Sequence, residues 1–160
     1  MKSQIMLEAE QLQEELTAWR RELHQIPEIG LSLPRTVAFV TKKLDEMNIA
    51  YTVYEESSNI AACIGRGDTC YMIRGDMDAL PIEEKSCEPF ASTNGCMHAC
   101  GHDMHTAMLL GAAKLIKAHE SELHGTVKLV FQSAEEIFAG AEAAIRSGVM
   151  DNPHVDAALA

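Results

Sequence analysis

The chain is short of basic and aromatic residues, and it has no long apolar run. Its 13 Lys and Arg stand against 24 Asp and Glu, a formal charge of -11. That balance repels both the nucleic-acid backbone and anionic membrane surfaces, which excludes partners of either kind. No stretch approaches the roughly 20 apolar residues needed to span a bilayer. The opening MKSQIMLEAEQLQEEL has neither a continuous apolar core nor a small-residue cleavage site, so it does not read as a secretion signal. Five cysteines are an odd number, in a chain large enough to build a core without covalent staples. A reducing, cytoplasmic setting fits that usage better than a disulfide framework. Repeats, low-complexity tracts and long charge blocks are missing too, which removes the disordered and solenoid classes.

What is present suits one domain, residues 1–160, with a real core: 47% of the residues are hydrophobic. Leu12, Leu16, Trp19 and Leu23 recur at steps of four, three and four, the stripe of an amphipathic helix closed by Pro27 and Gly30. A second helix is expected from Ser32, read as its cap, and Pro34 in its first turn, with Val37, Val40, Leu44 and Met47 on its apolar side. AYTVY, NIAACI and CYMIRGD then read as three strands separated by turns. PIEEKSCEPFASTNG, from Pro81 to Gly95, has neither period and reads as a long ordered loop. A further helix is expected from about Asp103 to His119, a buried strand in GTVKLVFQ, and a short helix in AGAEAAIRSG stopped by Gly148. Val155, Ala157 and Leu159 alternate as a strand would, and the chain stops inside that run, which reads as the N-terminal piece of a longer protein.

Helices alternating with strands imply an α/β fold, in which ligands bind outside the carboxyl ends of the strands. The polar clusters fall there. Asp76 and Asp78 follow one strand, Glu135 and Glu136 follow another, and Cys100, His102, Asp103 and His105 crowd the stretch MHACGHDMH. Gly101 lets the backbone turn sharply enough for Cys100 and His102 to face one ion. Two adjacent glutamates just past a strand can divide the work of metal-assisted hydrolysis, one holding the ion and the other taking a proton from water. Bland readings stand beside these. A lone glutamate pair is usually solvated, Cys100 alone is usually a small buried hydrophobe, and His24, His119, His124 and His154 carry no more than a packing role. Cys63 and Cys70 read as core. A Cys100–His102 thiol nucleophile would leave both glutamates idle. A structural-zinc module of Cys96, His98, Cys100 and His102 would leave Asp76 and Glu135 without a task. RGD at Arg74–Asp76 ends a buried strand, which speaks against adhesion.

The blocks RRELHQIPEIG, RGDMDALPIEE, MHACGHDMHTAMLLGAAKLI and GTVKLVFQSAEE, in this order, resemble the M20 metallopeptidases. Within that family they are most similar to the amidohydrolase branch of aminoacylases, hippurate hydrolases, N-acetyldiaminopimelate deacetylases and auxin-conjugate hydrolases. The resemblance implies a three-layer, zinc-exopeptidase-like catalytic domain, incomplete here and lacking the inserted domain that serves as lid and dimer contact. It implies two divalent ions, Mn²⁺ or Zn²⁺, with Cys100, His102 and Glu136 as metal ligands and Glu135 as general base. Asp76 and Asp78 match the family's acidic catalytic motif, and their roles are not divided by the resemblance. The implied reaction is hydrolysis of the amide of a small N-acyl amino acid or dipeptide-like substrate, by an enzyme that is a homodimer when whole. Two further metal-binding histidines would follow beyond Ala160. Ser133 stands where the family's common form has proline, a change expected to be tolerated. The alternative is a non-catalytic metal-binding or structural protein on the same fold fragment, and a native stop after Ala160 would favour it.

Overall fold

The computed structural model describes residues 3–160. Their order is α1 (Gln4–Gln11), α2 (Gln13–His24), α3 (Pro34–Glu46), β1 (Tyr51–Tyr54), β2 (Asn59–Gly65), β3 (Cys70–Asp76), α4 (His102–Ala118), β4 (Thr126–Gln132), α5 (Gly140–Arg146) and β5 (Ala157–Leu159). The strands form one mixed sheet in the order β1-β2-β4-β3-β5. β1 and β2 run antiparallel to their neighbours, whereas β3 pairs in parallel with both β4 and β5.

Alternation along β4 builds three layers. Leu129 and Phe131 point to the face covered by α2, α3 and α4, where Trp19, Leu23, Val40, Leu44 and Leu110 complete the main core. Val130 points the other way, into a smaller cluster with Ala144 of α5 and Val149. On that second face Lys128 is fully buried, and its ammonium donates to the carbonyls of Val149 and Pro153, fixing the segment that leads into β5.

Two local expectations change. The first helical stripe is divided at Leu12 into α1 and α2, although Trp19 and Leu23 are buried as their spacing requires. Ser32 does not cap α3. The helix starts at Pro34 without a side-chain cap from Leu33, and the Glu28 carboxylate accepts from the backbone N–H of Arg35 and Thr36 and from the Thr36 hydroxyl. A carboxylate there also meets the positive end of the helix dipole, an advantage Ser32 lacks. Cys63 is only half-buried, while Cys70 is buried. Burial raises the pKa of both, which keeps them as unreactive thiols.

The parallel β3–β4 pair brings Asp76 level with Gln132, so both strands end at one edge. There Met77 N–H donates to Gln132 O at 2.7 Å, and the Thr106 hydroxyl of α4 donates to Asp76 O at 2.9 Å. Gly75 permits this approach, since a Cβ on it would lie 3.2 Å from His105 O. The loop 81–95 is ordered as expected. A Leu80–Met97 bridge closes it, and Asn94 Nδ2 donates to Pro27 O at 2.8 Å.

Candidate metal centre

Three turns meet at the shared strand edge: residues after β3, residues after β4, and the first turn of α4. Gly101, at φ +85°, makes the left-handed turn that starts α4. His102 then points beneath the sheet edge, 5% exposed. Its Nδ1 lies 2.9 Å from the Asp78 carbonyl oxygen. A carbonyl can only accept, so Nδ1 carries the proton, which leaves Nε2 as the nitrogen able to ligate a cation when the ring is neutral. Around Nε2 stand three carboxylates: Asp76 Oδ1 at 3.6 Å, Glu135 Oε2 at 3.8 Å and Glu136 Oε1 at 3.8 Å. These separations are too long for hydrogen bonds and suit groups that share a cation between them.

Each carboxylate has a different environment. Asp76 is buried, paired with Arg74 at 2.7 Å and with His105 Nδ1 at 2.6 Å. Asp78 is also buried, and its Oδ2 accepts from Glu136 N–H at 3.0 Å. Burial raises the pKa of Asp78, but hydrogen bonds from His102 and from the Glu136 and Glu135 backbone outweigh it and hold the group below its ordinary value. Burial lowers the pKa of His102, and the Asp78 hydrogen bond with the charges of Asp76 and Asp78 reverses that, leaving it raised. Asp78 Oδ1 and Glu136 Oε1 are buried with no hydrogen-bond partner among the described residues. Buried acceptors left unpaired cost about 1–3 kcal/mol each, more when charged, and bound cations would relieve that cost. The donor set therefore fits divalent metal. Among the described residues, two groups hold ligand atoms mutually within 4.8 Å: Asp76, His102 and His105, and His102, Glu135 and Glu136. His102 belongs to both.

Cys100 belongs to neither group, although its thiol lies beside a member of one. It is exposed, and its thiol hydrogen-bonds the Glu136 carboxylate, which raises its pKa to about 11. With no cation beside it such a thiol stays protonated near neutral pH, which makes it a poor nucleophile on its own. The zinc-module reading fares no better. Neither group includes Cys96 or His98, and His98 is buried with both ring nitrogens unpaired, its pKa lowered by burial to about 4.

Behind α4 lies a second polar cluster. Asp103, fully buried, pairs with Arg20 at 2.8 Å and with His24 Nδ1 at 2.7 Å. The other nitrogen of His24 lies 3.0 Å from Glu84 in the long loop. Glu84 also accepts from the Ser86 hydroxyl and from Ser92 N–H, and its pKa falls to about 2. Phe90 packs edge-on against His24, with the guanidinium groups of Arg20 and Arg21 over its ring. His24 had only a packing role in the sequence reading. Its partners are 79 and 60 residues away, and no local spacing reports them. Ser133 is likewise explained: its N–H donates to Asn59 Oδ1 at 2.8 Å and its hydroxyl to Ser57 O, the first being a bond proline could not make.

The model for peptidase family M20/M25/M40 matches residues 72–160, more than half of the chain. The chain belongs to that family. It is 46% identical over 135 residues to an IAA-amino acid hydrolase of Arabidopsis thaliana, covering 83% of this chain and 31% of that protein. It is 40% identical over 158 residues to an N-acyl-L-amino acid amidohydrolase of Geobacillus stearothermophilus, covering 96% of this chain and 43% of that protein. Among solved structures, a dinuclear metal-binding peptidase of the M20 family from Bacillus subtilis superposes with a TM-score of 0.87 at 38% identity, over 93% of this chain and 42% of that one. The M20 chain thus spans less than half the length of these relatives. The three-layer α/β architecture is that of the M20 catalytic domain. Among the described residues, no helix is long and apolar enough to cross a membrane.

Proposed function

We propose that the protein carrying this chain is a metal-dependent amidohydrolase that cleaves the amide of N-acyl amino acids, and that residues 1–160 form the N-terminal part of its catalytic domain. The observation that carries this reading is His102 Nε2 facing Asp76, Glu135 and Glu136 at 3.6–3.8 Å. The names of the plant and bacterial relatives support the substrate class, since both describe an acyl group joined to an amino acid.

In this reading Cys100, His102 and Glu136 hold metal. Two divalent ions, Mn²⁺ or Zn²⁺, would supply positive charge that acidifies water and stabilises the oxyanion of the attacked carbonyl. Glu135 is the more open of the two glutamates, its side chain 37% exposed against 17% for Glu136. It removes the proton of the attacking water and returns it to the departing amine, releasing a carboxylic acid and an amino acid. Asp78 holds the His102 ring and the turn at Glu136 in place, while Asp76 ties Arg74 and His105 to the same edge. The assembled enzyme is a cytoplasmic homodimer.

The test compares two variants of the intact protein. Glu135→Gln keeps the shape but cannot accept a proton, so kcat should fall about 10²–10⁴-fold with metal content near that of wild type. Cys100→Ala should lose metal and activity together. Equal metal loss in both variants would show that base and ligand have been exchanged.

A further inference from the structure

The turn that carries Glu135 and Glu136 runs from Ser133 to Gly140, and its shape has to be imposed from outside. Ala134, before the pair, has φ +51°, and Phe138, after it, has φ +57°. Non-glycine residues enter that left-handed region only where their surroundings over-determine it. Within the turn, Phe138 N–H donates to Glu135 O at 2.9 Å, and the N–H groups of Ala139 and Gly140 both donate to Ala134 O at 3.1 Å. The two ends of the turn touch, for a Cβ on Gly140 would strike Ser133 O.

A side chain from another strand joins those ends. β2 runs antiparallel to β4 with Ile60 paired to Phe131, so Asn59 stands beside the point where β4 ends. Asn59 Oδ1 accepts from Ser133 N–H at 2.8 Å, while Nδ2 donates to Gly140 O at 3.3 Å and to Ser57 Oγ at 3.0 Å. An N–H can only donate and a carbonyl can only accept, which fixes the way the amide points. Asn59 and Ser133 are fully buried and Ser57 nearly so, so these contacts do not depend on any surface being free. Asp78 holds the backbone of the glutamate pair from the β3 side, and Asn59 holds both ends of the turn from the β2 side.

We propose that Asn59 is a positioning residue for the reaction: by tying Ser133 to Gly140 it fixes the turn from which Glu135 reaches the attacking water. This rests on the reading of Glu135 as general base given above. Asn59 acts only through the turn. A shift of about 1 Å at a reacting group can cost about a hundredfold in rate, and a turn with two left-handed residues relaxes once its ends are released. Without Asn59, Ser133 N–H is also left buried with no acceptor, which draws the entry of the turn toward another partner. Proline at position 133 would need no acceptor, and it would follow Gln132, a strand residue with the extended backbone that proline requires before it. Asn59 and Ser133 together thus do by hydrogen bonding what a proline would do by stiffness.

The experiment uses the intact, metal-loaded protein with N-acetylalanine and N-benzoylglycine as substrates, and deuterium uptake of the segment 133–140 as a readout apart from activity. Asn59→Ala should lower kcat by about ten- to a hundredfold, leave KM and metal content near wild type, and speed exchange in that segment. Asn59→Asp keeps an acceptor for Ser133 N–H and loses the donor to Gly140 O. It should fall between Asn59→Ala and wild type, and it carries the test if Asn59→Ala does not fold. Adding Ser133→Pro to Asn59→Ala should recover most of the lost kcat. An unchanged kcat, a loss that appears in KM or follows metal content, or a double variant no better than Asn59→Ala would overturn the assignment of Asn59 and leave the hydrolase reading standing. Wild-type protein that hydrolyses neither substrate would overturn the hydrolase reading, and this proposal with it.

Discussion

Two clusters of carboxylates and histidines flank the N-terminus of α4, and they are satisfied very differently. Behind the helix, Asp103 and Glu84 are each bonded to His24, Asp103 is also paired with Arg20, and Glu84 takes two further hydrogen bonds from its own loop. In front, Asp76, Glu135 and Glu136 gather about His102 at distances that complete no hydrogen bond to it, and Asp78 Oδ1 and Glu136 Oε1 have no partner among the described residues. Both clusters pair some of their buried acids, Asp76 with Arg74 and His105 in front and Asp103 with Arg20 and His24 behind, but only the front one leaves carboxylate oxygens without a hydrogen-bond partner among the described residues. A paired network of this kind is structural, joining the long loop to α2 and α4. One with unpaired carboxylate oxygens at the carboxyl ends of parallel strands fits the cation site proposed above.

That contrast can be broken from the structural side. His24→Ala should leave Asp103 and Glu84 without their shared partner. Leaving a buried acceptor without its hydrogen-bond partner costs about 1–3 kcal/mol, more for a charged group, so the melting temperature of the intact protein should drop by a few degrees or more, with metal content retained. A variant that melts like wild type but loses metal would reverse the roles assigned to the two clusters. A smaller effect is expected from acid. The pKa of Glu84 is lowered from 4.5 to about 2, so the folded state favours its charged form. Its contribution to stability is complete above about pH 4.5 and disappears as pH falls toward 2. Glu84→Gln should be less stable near neutral pH and should lose less stability than wild type across that acid window, as read by denaturant unfolding at stepped pH. Parallel acid curves for the two proteins would remove Glu84 from the account.

Much of this organisation was legible in the sequence because the signals are local. The four- and three-residue steps of Val37, Val40 and Leu44 put Val40 and Leu44 in the core, and the β-branched run of GTVKLVFQ forms a central strand. The residues of the candidate site were also readable as a cluster, since Asp76 with Asp78, His102 with His105, and Glu135 with Glu136 are each close in sequence and the parallel β3–β4 pair aligns their turns. What escaped depends on distance along the chain. Glu28 caps α3 from outside the helix, and His24 meets Asp103 only after 79 residues of intervening chain. The left-handed turn at Phe138 escaped for another reason: a positive φ at an aromatic residue leaves no mark in hydrophobic periodicity.

The central claim is that the front cluster is a cation site and the rear one is not. It is tested most directly by melting the metal-depleted intact protein with and without saturating Mn²⁺ or Zn²⁺, in wild type, His102→Ala and Glu84→Gln. A ligand held only by the folded state at a hundredfold its Kd adds about 2.7 kcal/mol, so wild type should melt at a clearly higher temperature with metal. His102 belongs to both candidate ligand groups, and its removal should abolish that rise. Glu84→Gln should begin from a lower melting temperature and keep the full rise. A metal-induced rise that survives in His102→Ala, or one that vanishes in Glu84→Gln while wild type responds, would contradict the assignment of the two clusters.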